Sequence, residues 1–491
     1  MSDPAPPPSP ASPPFPAPPP FPAPPPAPAP PPAPAPPPAP ALARRIGAFA
    51  AGLAWADLTP ARRTRAALCY VDFLSLAAAG ATLPEAAPAA SLAEDGPVRV
   101  PGLDRGLSAS GAMVALGYLG ALLQLHDGFG RGGNHPSSAI VPAAHVAGRG
   151  KPMREILTAL ALGYEVANRL SAATHPEQSL RGAAPTATMG AIGAAAACGR
   201  LMGLDAEALG RAVAIAAVTA PVAAYEALRL HGSAVPFHGG LAARAGYEAA
   251  RLAAHGLDGG STVLEGRPGA DGLLTLLAGR AAPTPDPAGW AGETLDLVFF
   301  KPVPGCRHVQ PAVEAALDLR AGLPDDPDRI AAVEIETYPL ALAFAAAPDA
   351  RDELYDRLMS VPWCVASTLL RGPLSPGLLA RPTDAALHAL TARTAMRAAE
   401  PFVADYPDAL GARVTVRLVD GARLSAERRL AYGSAADPTL LTPPGGHLTP
   451  LDRAGLLARA ERFLVPVWGA GPTRSLIDDA LAPCGAAVAG A

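Results

Sequence analysis

The amino-acid sequence predicts a mostly α-helical protein, in which a large all-helical domain is followed by a smaller α+β lid domain. Three features of the chain support this prediction. Residues 42–284 are rich in alanine and glycine, with apolar residues at helical spacing. Residues 285–448 combine segments that alternate between apolar and polar side chains with further helical segments. Residues 1–41 show neither pattern and consist mainly of proline and alanine.

The N-terminal segment, residues 1–41, is expected to be a disordered tail outside the fold. Of the first 40 residues, 24 are proline. Proline lacks an amide donor and has a fixed φ, so the segment should be an extended polyproline II chain. It has neither the basic start nor the apolar stretch of a targeting peptide. Such a tail is either solvated or binds an aromatic-lined groove on a partner.

The helical domain is expected to span residues 42–284. Thr59 and Pro60 mark the start of one of its helices, because threonine accepts a bond from a free N-terminal amide and proline fits the first helical position. Small residues crowd several segments, so the helices should pack closely. Further helices are predicted over residues 108–125, 153–172, 186–202, 206–217 and 241–255.

The second domain is expected to contain a small sheet. Residues 332–338 and 414–418 alternate with the period of two that is typical of strands. Asp420 and Gly421 follow the second run as a hairpin turn. Helices are predicted in the same domain over residues 311–320 and 361–370.

The C-terminal segment, residues 449–491, is expected to be helical at its start. Thr449 and Pro450 are predicted to open a final helix that runs through Phe463.

Composition excludes several classes of protein. The chain has 39 basic and 43 acidic residues with no basic stripe, which argues against a nucleic-acid partner. Its five cysteines are scattered, which argues against a disulfide framework or a structural zinc site and favours a reducing cytoplasm. Residues 212–228 are apolar, but alanine dominates them and Pro221 interrupts them, so a helix in a soluble protein is favoured over a membrane span.

A series of short motifs resembles one known family. Taken singly each motif is weak, but their shared order over residues 42–463 is similar to that of the MmgE/PrpD family, which includes 2-methylcitrate dehydratase, cis-aconitate decarboxylase and iminodisuccinate epimerase. The motifs are residues 123–128 with His135-Pro136, residues 162–170, 185–188, 201–205, 237–246 and 263–266, Lys301-Pro302, residues 304–307 and residues 360–363.

The resemblance implies a fold and a chemistry. Members of this family pair a helical domain with an α+β lid, are usually homodimers, and return their C-terminal residues to the helical domain. They act on di- and tricarboxylates without a cofactor or metal, by dehydration, decarboxylation or epimerisation. Such reactions need a base to remove a proton beside a carboxylate and cationic groups to hold the carboxylates.

The chain departs from the family's catalytic pattern at several positions. Two aspartates of the acidic motif are replaced, by Gln124 and His126, whereas Asp127 and His135 are retained. Four further positions lack the expected group: a histidine is replaced by Ala184, a lysine by Val235, a histidine by Gln310 and a tyrosine by Trp363. Alanine and valine neither transfer protons nor neutralise carboxylates, so the sequence predicts a less polar cavity with altered chemistry.

His126, Asp127 and His135 are the candidate catalytic residues. Glycines lie between them and allow a loop that turns the side chains inward. A carboxylate paired with a histidine sets the imidazole tautomer and suits proton transfer near neutral pH. Alternatively, Asp127 caps a turn and the histidines only pack. Metal binding by the three residues is the less favoured alternative, because their spacing matches no standard ligand motif.

Six residues are candidate substrate-binding groups. Arg307 suits bidentate carboxylate binding, although an interdomain salt bridge is an equal alternative. Cys306 beside it is expected to be an inert buried thiol. Structural roles remain open for the histidines of this set. The set is Gln124, His238, Arg307, His308, Gln310 and Trp363.

Two hypotheses for function remain from this reasoning. In the first, the protein is a cytoplasmic, homodimeric lyase, isomerase or cyclase without a cofactor, acting on an organic acid or a more apolar, carbonyl-bearing metabolite. In the second, it is a non-catalytic ligand-binding or assembly protein that kept the fold. Retained His135 and the new His126 favour the first, and the lost polar groups favour the second.

Overall fold

A computed structural model describes residues 41–91, 94–346, 352–434, 438–441, 448 and 450–485 of the 491-residue chain. The predicted tail, residues 1–41, lies outside the described residues except for Ala41. The helices before residue 300 are α1 (Leu42–Gly52), α2 (Pro60–Ala81), α3 (Ala87–Ser91), α4 (Ala109–Ala121), α5 (Ser137–Ala147), α6 (Met153–Thr174), α7 (Glu177–Leu180), α8 (Pro185–Leu201), α9 (Ala206–Thr219), α10 (Glu226–Arg229), α11 (Phe237–Ala254) and α12 (Leu273–Ala278).

The later helices surround a small sheet. They are α13 (Gln310–Arg320), α14 (Pro339–Ala345), α15 (Leu354–Met359), α16 (Val361–Arg371), α17 (Pro376–Leu379), α18 (Ala385–Ala392), α19 (Phe402–Asp405), α20 (Arg453–Trp468) and α21 (Ala470–Leu481). The strands are β1 (Asp95–Val98), β2 (Gly128–Phe129), β3 (Gly266–Arg267), β4 (Ala270–Asp271), β5 (Val298–Phe299), β6 (Ile330–Thr337), β7 (Thr394–Ala398), β8 (Ala412–Leu418) and β9 (Arg423–Arg428).

The helical core is built on small residues, as the sequence predicted. Helices α6 and α8 cross so closely that a Cβ at Gly193 would lie 2.5 Å from the carbonyl oxygen of Gly163. The Thr59 side chain accepts from the backbone N–H of Arg62 at the start of α2, and α2 is buried along most of its length. Close helix packing of this kind fixes the backbone positions that carry the loops between helices.

The sheet of the second domain has the strand order β7-β6-β8-β9. Strands β6 and β7 are parallel, whereas β6–β8 and β8–β9 are antiparallel. The β8–β9 hairpin turns at Asp420 and Gly421, where Gly421 has φ +88°. Helix α13 packs against β8, β9 and α16. The predicted fold class, mostly helical with a smaller α+β part, is confirmed.

The prediction for the final helix was wrong at both ends. The helix begins at Arg453, three residues after Pro450. The Asp452 side chain caps this start by accepting from the backbone N–H of Gly455. It runs past Phe463 to Trp468, and α21 follows directly. Aspartate is a stronger helix cap than threonine, which explains the later start.

Helix α20 packs against α2 of the helical core. A buried ion pair joins the two helices, with Arg459 Nε 3.0 Å from Asp72 Oδ1. The same guanidinium donates through Nη1 to the carbonyl oxygen of Lys301, at 2.7 Å. The segment that precedes the second domain is therefore tied to the helical core. In the described part of the chain, no helix combines the length and apolarity needed to cross a membrane.

Candidate functional site

The loop between α4 and α5, residues 122–136, carries all three candidate catalytic residues. Its start is bent at Gln124, which has φ +49°. Its middle is held by pairing of β2 with β5. Gly128 is required there, because a Cβ would lie 2.3 Å from the ring of Phe299. These constraints fix the direction of the side chains that follow.

This loop lines one wall of a cavity of about 90 Å³ that is partly open to solvent. The opposite wall comes from the turn after β5, which supplies Arg307 and His308, and from the start of α11, which supplies His238. Small-molecule pockets usually measure about 300–1,000 Å³, so this cavity suits a small metabolite.

His135 is held in one orientation and one tautomer. Its Nδ1 lies 2.7 Å from the backbone carbonyl oxygen of Asp127, so this nitrogen carries the proton and donates it. Its backbone N–H donates to Thr186 Oγ1 at 3.0 Å. Nε2 therefore keeps its lone pair. Burial, with a further contribution from the charge of Lys301, lowers the pKa of His135 to about 3, so the imidazole is neutral at physiological pH.

His126 lies against His135, with ring centroids 4.7 Å apart in an edge-to-face arrangement. Its ring is 3% exposed, and its Nδ1 has no hydrogen-bond partner among the described residues. Burial holds the pKa of His126 well below its usual value, and His135 and Lys301 lower it further. Both imidazoles are therefore neutral near pH 7.

The carboxylate of Asp127 turns away from the histidines. Its Oδ2 accepts from the hydroxyl of Tyr164 at 2.8 Å, and its Oδ1 accepts from the backbone N–H of Ser137 at 3.2 Å. Burial raises its pKa, although these hydrogen bonds oppose the shift. Asp127 thus orients His135 through its backbone carbonyl, whereas its side chain anchors the start of α5.

Arg307 brings a cation to the cavity. Its guanidinium lies 4.4 Å from the centre of the Phe299 ring, and Phe299 in turn contacts His135 edge-on. Nη1 is buried without a hydrogen-bond partner among the described residues. A buried guanidinium nitrogen that lacks a protein partner is suited to an anionic ligand.

His308 and His238 complete the polar lining. His308 Nδ1 lies 2.6 Å from the hydroxyl of Tyr338, and its ring stacks on Phe344. His238 lies in the first turn of α11. Burial lowers the pKa of each to about 4, so both are neutral near pH 7.

Gln310 and Trp363 do not line the cavity. The amide of Gln310 donates to the carbonyl oxygens of Val303 and Gly305 and so holds the turn that presents Arg307. Trp363 is 2% exposed, and its indole N–H donates to Thr383. Gln124 does line the cavity, but its side chain donates to the carbonyl oxygen of Ala121.

Two family models match the chain in sequence order. Residues 44–282 match the MmgE/PrpD N-terminal domain, and residues 303–440 match the MmgE/PrpD C-terminal domain. The chain belongs to the MmgE/PrpD family. The resemblance inferred from the motifs is thereby confirmed, and it places the protein in a family of dehydratase-like enzymes. No curated protein matches the sequence.

Two apolar residues that replace polar groups expected from the MmgE/PrpD family line the cavity. Ala184 and Val235 both contribute to its wall, as do Leu228, Phe344 and Met359. The part of the lining formed by these five side chains is therefore apolar. Among the described residues, no group of three or more His, Cys, Asp or Glu side chains is arranged to hold a metal ion.

Sequence reasoning missed three residues of the site. Lys301 is fully buried, and its Nζ donates to the carbonyl oxygens of Gln124 and Gly305. Thr186 supports His135, and Tyr355 lines the cavity. Lys301 and Thr186 lie in motifs that carry the family resemblance, which was the available signal. Tyr355 lies in no motif, and nothing in its local sequence marks it.

Proposed function

We propose that the protein is a cofactor-independent lyase or isomerase acting on a small organic acid or an apolar, carbonyl-bearing metabolite. One observation carries the proposal: a neutral imidazole with a fixed tautomer lines the same cavity as a guanidinium that has a nitrogen without a partner among the described residues. Family membership supports the reaction class.

Arg307 is the group that would hold a carboxylate of the substrate. Its Nη1 has no competing partner among the described residues. The carboxylate would withdraw electron density only weakly from the adjacent carbon, so cationic groups nearby must stabilise the charge that develops when a proton leaves. Arg307 at the cavity wall and buried Lys301 behind it supply positive charge on this side.

His135 is the group that would take the proton. A pKa of about 3 makes it a weak base in the empty cavity. An entering carboxylate adds a negative charge nearby, and an opposite charge favours the protonated imidazole, so binding raises the basicity of Nε2. The substrate therefore activates the base that acts on it.

The proton abstraction leads to two classes of product. When His135 Nε2 takes the proton beside the carboxylate, the electron pair forms a double bond to the next carbon and expels a hydroxyl, which leaves as water after gaining a proton. When no group leaves, a proton returns to the opposite face and the stereocentre is inverted. His126, in contact with His135, is the neighbouring imidazole that would hand on or receive protons.

Mass spectrometry of metabolite extracts tests this proposal. The wild-type protein should convert at least one small acid. A lyase would remove water, a loss of about 18 mass units, and an isomerase would invert a stereocentre, which chiral separation detects. A double variant, His126→Gln with His135→Gln, keeps the size and hydrogen bonding of both groups and should convert none. Equal conversion by both proteins would remove the two histidines from the mechanism.

A non-catalytic binding protein is the second candidate, favoured by the apolar residues Ala184 and Val235 in the cavity wall. It predicts that extract fractions raise the melting temperature of the wild-type protein without any mass change. That result would replace the enzymatic proposal.

The assembly and the site of action also remain proposals. We propose a cytoplasmic homodimer formed through the helical domain, with the α+β part as a lid. The family resemblance supports this, and so do two exposed apolar side chains of that domain, Val218 in the last turn of α9 and Val222 just after it, which are 61% and 65% exposed. Light scattering should give the mass of a dimer, and a monomer at micromolar concentration would contradict it.

A further inference from the structure

Tyr355 carries a buried hydroxyl without a protein partner. The residue lies in α15, is 4% exposed and lines the cavity together with His135 and Arg307. Its hydroxyl forms no hydrogen bond with any described residue. A buried phenol normally finds a partner, so one that faces a cavity without one is suited to a polar atom of a ligand.

The hydroxyl of Tyr355 acts as a donor. Burial raises its pKa well above the usual value, and the neighbouring Cys306 and Tyr225 raise it further, so the phenol stays protonated. A protonated phenol donates to a carbonyl oxygen, and it both donates to and accepts from a hydroxyl group, so either kind of oxygen suits this position.

The charge of the cavity lining limits how many carboxylates a ligand can carry. Among the described residues, Arg307 is the one lysine or arginine that lines the cavity. The four histidines of the lining are neutral near pH 7, because burial lowers each pKa. Lys301 lies outside the lining and already donates to two carbonyl oxygens. A second carboxylate would therefore need a protonated histidine as its partner, which burial of these imidazoles opposes, and would bind less favourably.

The remaining wall is apolar. Ala184, Leu228, Val235, Phe344 and Met359 contribute to it. A short hydrocarbon group would pack against these side chains, whereas a charged group would lose hydration there without compensation.

We propose that the ligand of this cavity is a small monocarboxylate with one further oxygen, its carboxylate bound by Arg307 and its hydroxyl or carbonyl oxygen bound by Tyr355. The inference rests on the proposed function, for which it names the substrate class. It gives Tyr355 the role of a specificity-determining residue and assigns the apolar wall to the hydrocarbon part of the substrate.

Titration calorimetry with three matched acids tests the inference. The probes are 3-hydroxybutyrate, butyrate, which lacks the hydroxyl, and succinate, which has a second carboxylate. The wild-type protein should bind 3-hydroxybutyrate about three- to tenfold more tightly than butyrate, as expected for one added hydrogen bond. Succinate should bind more weakly than butyrate.

Tyr355→Phe removes only the unpaired hydroxyl. The preference for 3-hydroxybutyrate over butyrate should fall to about one, as expected when a single hydrogen bond is lost. The melting temperature should not fall, because the hydroxyl has no partner among the described residues. Tyr70→Phe is the matched control, because the Tyr70 hydroxyl is buried outside the cavity and lies 2.7 Å from His145 Nδ1. This control should lower the melting temperature and leave the preference intact.

The outcomes separate this inference from the proposed function. If Tyr355→Phe keeps the full preference while Arg307→Gln abolishes binding of both acids, the role of Tyr355 is overturned and the proposed function stands. Tighter binding of succinate than of butyrate overturns the limit to one carboxylate. Failure of the wild-type protein to bind any of the three acids overturns the inference and removes the support that Arg307 gives to the proposed function.

Discussion

The helical core and the cavity contain contrasting buried polar groups. In the core, Asp72 pairs with Arg459, and Tyr70 pairs with His145. In the cavity, His126 Nδ1, Arg307 Nη1 and the Tyr355 hydroxyl are buried without partners among the described residues. A buried pair offsets its own loss of hydration, whereas an unpaired group destabilises the empty protein until a ligand arrives. Core pairs should therefore determine stability, and cavity groups should determine binding and rate.

The family's usual substrates give the largest expected effect. 2-Methylcitrate, citrate and cis-aconitate each carry three carboxylates, whereas Arg307 is the one lysine or arginine among the described residues that line the cavity. Leaving carboxylates unpaired in a closed site costs several kcal/mol, which corresponds to rates roughly 10³-fold below those of ordinary enzymes. Assays with these three acids should show little turnover. Rates of about 10 s⁻¹, typical of metabolic enzymes, would contradict the assignment of the cavity.

His135→Gln should separate rate from stability on the cavity side. Glutamine has similar size and can still donate to the Asp127 carbonyl oxygen, but it does not titrate near neutral pH. Once a substrate is identified, kcat should fall about 10²–10⁴-fold with KM little changed and the melting temperature preserved. An unimpaired variant would exclude His135 as the base. A rise in KM with an unchanged kcat would instead assign His135 to substrate binding.

Arg459→Met should have its effect on the core side. The change leaves the Asp72 carboxylate buried without its partner and removes the bond to the Lys301 carbonyl oxygen. Breaking a buried pair in this way should lower the free energy of unfolding by about 3–5 kcal/mol. Urea denaturation measures the loss. The double variant Asp72→Leu with Arg459→Met should recover part of it. A loss in the double variant equal to the sum of the losses in the two single variants would show that the pair is not coupled.

The sequence predicted the fold far better than the details of the site. Helical periodicity and the Thr59 cap located most of the long helices, because those signals are local, whereas the short helices were not predicted. Asp452 displaced the start of the last helix, since two cap residues competed within a few positions. Four of the six candidate binding residues line the cavity, whereas Gln310 and Trp363 do not. Their positions depend on how the turn after residue 300 and helix α16 pack, and no spacing within the sequence encodes that packing.

Tyr355 and Asp127 show the same limit at atomic scale. The sequence placed Asp127 beside the histidines, but it could not show that the backbone carbonyl, and not the carboxylate, would orient His135. Tyr355 comes from a separate helix and joins the site only through tertiary packing.

Tyr164→Phe gives a smaller effect and separates two roles of Asp127. The variant removes one of the two hydrogen bonds to a carboxylate that is 2% exposed. The free energy of unfolding should fall by about 1–3 kcal/mol. Because Asp127 orients His135 through its carbonyl group, kcat should change less than it does in His135→Gln. A loss of rate as large as that of His135→Gln would show that the carboxylate itself takes part in the chemistry.

Lys301 lies between the two classes of buried group, because its Nζ has partners but its charge is not neutralised by a contacting carboxylate. Burial lowers its pKa to about 7 from the usual 10.5. Nearby Cys306 raises this pKa slightly, and Arg307 lowers it slightly. Between these two pH values the unfolded chain binds more protons at this position than the folded protein does. The contribution of Lys301 to stability therefore rises with pH from about 7 to about 10.5.

Lys301→Met should remove this rise. The slope of the free energy of unfolding against pH between about 7.5 and 9.5 should decrease by roughly 1 kcal/mol per pH unit, close to the limit for one titrating group.

Glu314 is the matched control. Burial raises its pKa to about 8 although it accepts from the backbone N–H of Tyr432. Its folded form binds the extra proton, so its contribution to stability falls as pH rises from about 4.5 to 8, and Glu314→Gln should alter the slope only in that lower range. Denaturation curves at a series of pH values measure both slopes. An unchanged slope in Lys301→Met would show that the lysine titrates near its usual pKa, and its positive charge would then persist beside the cavity throughout the range in which His135 acts.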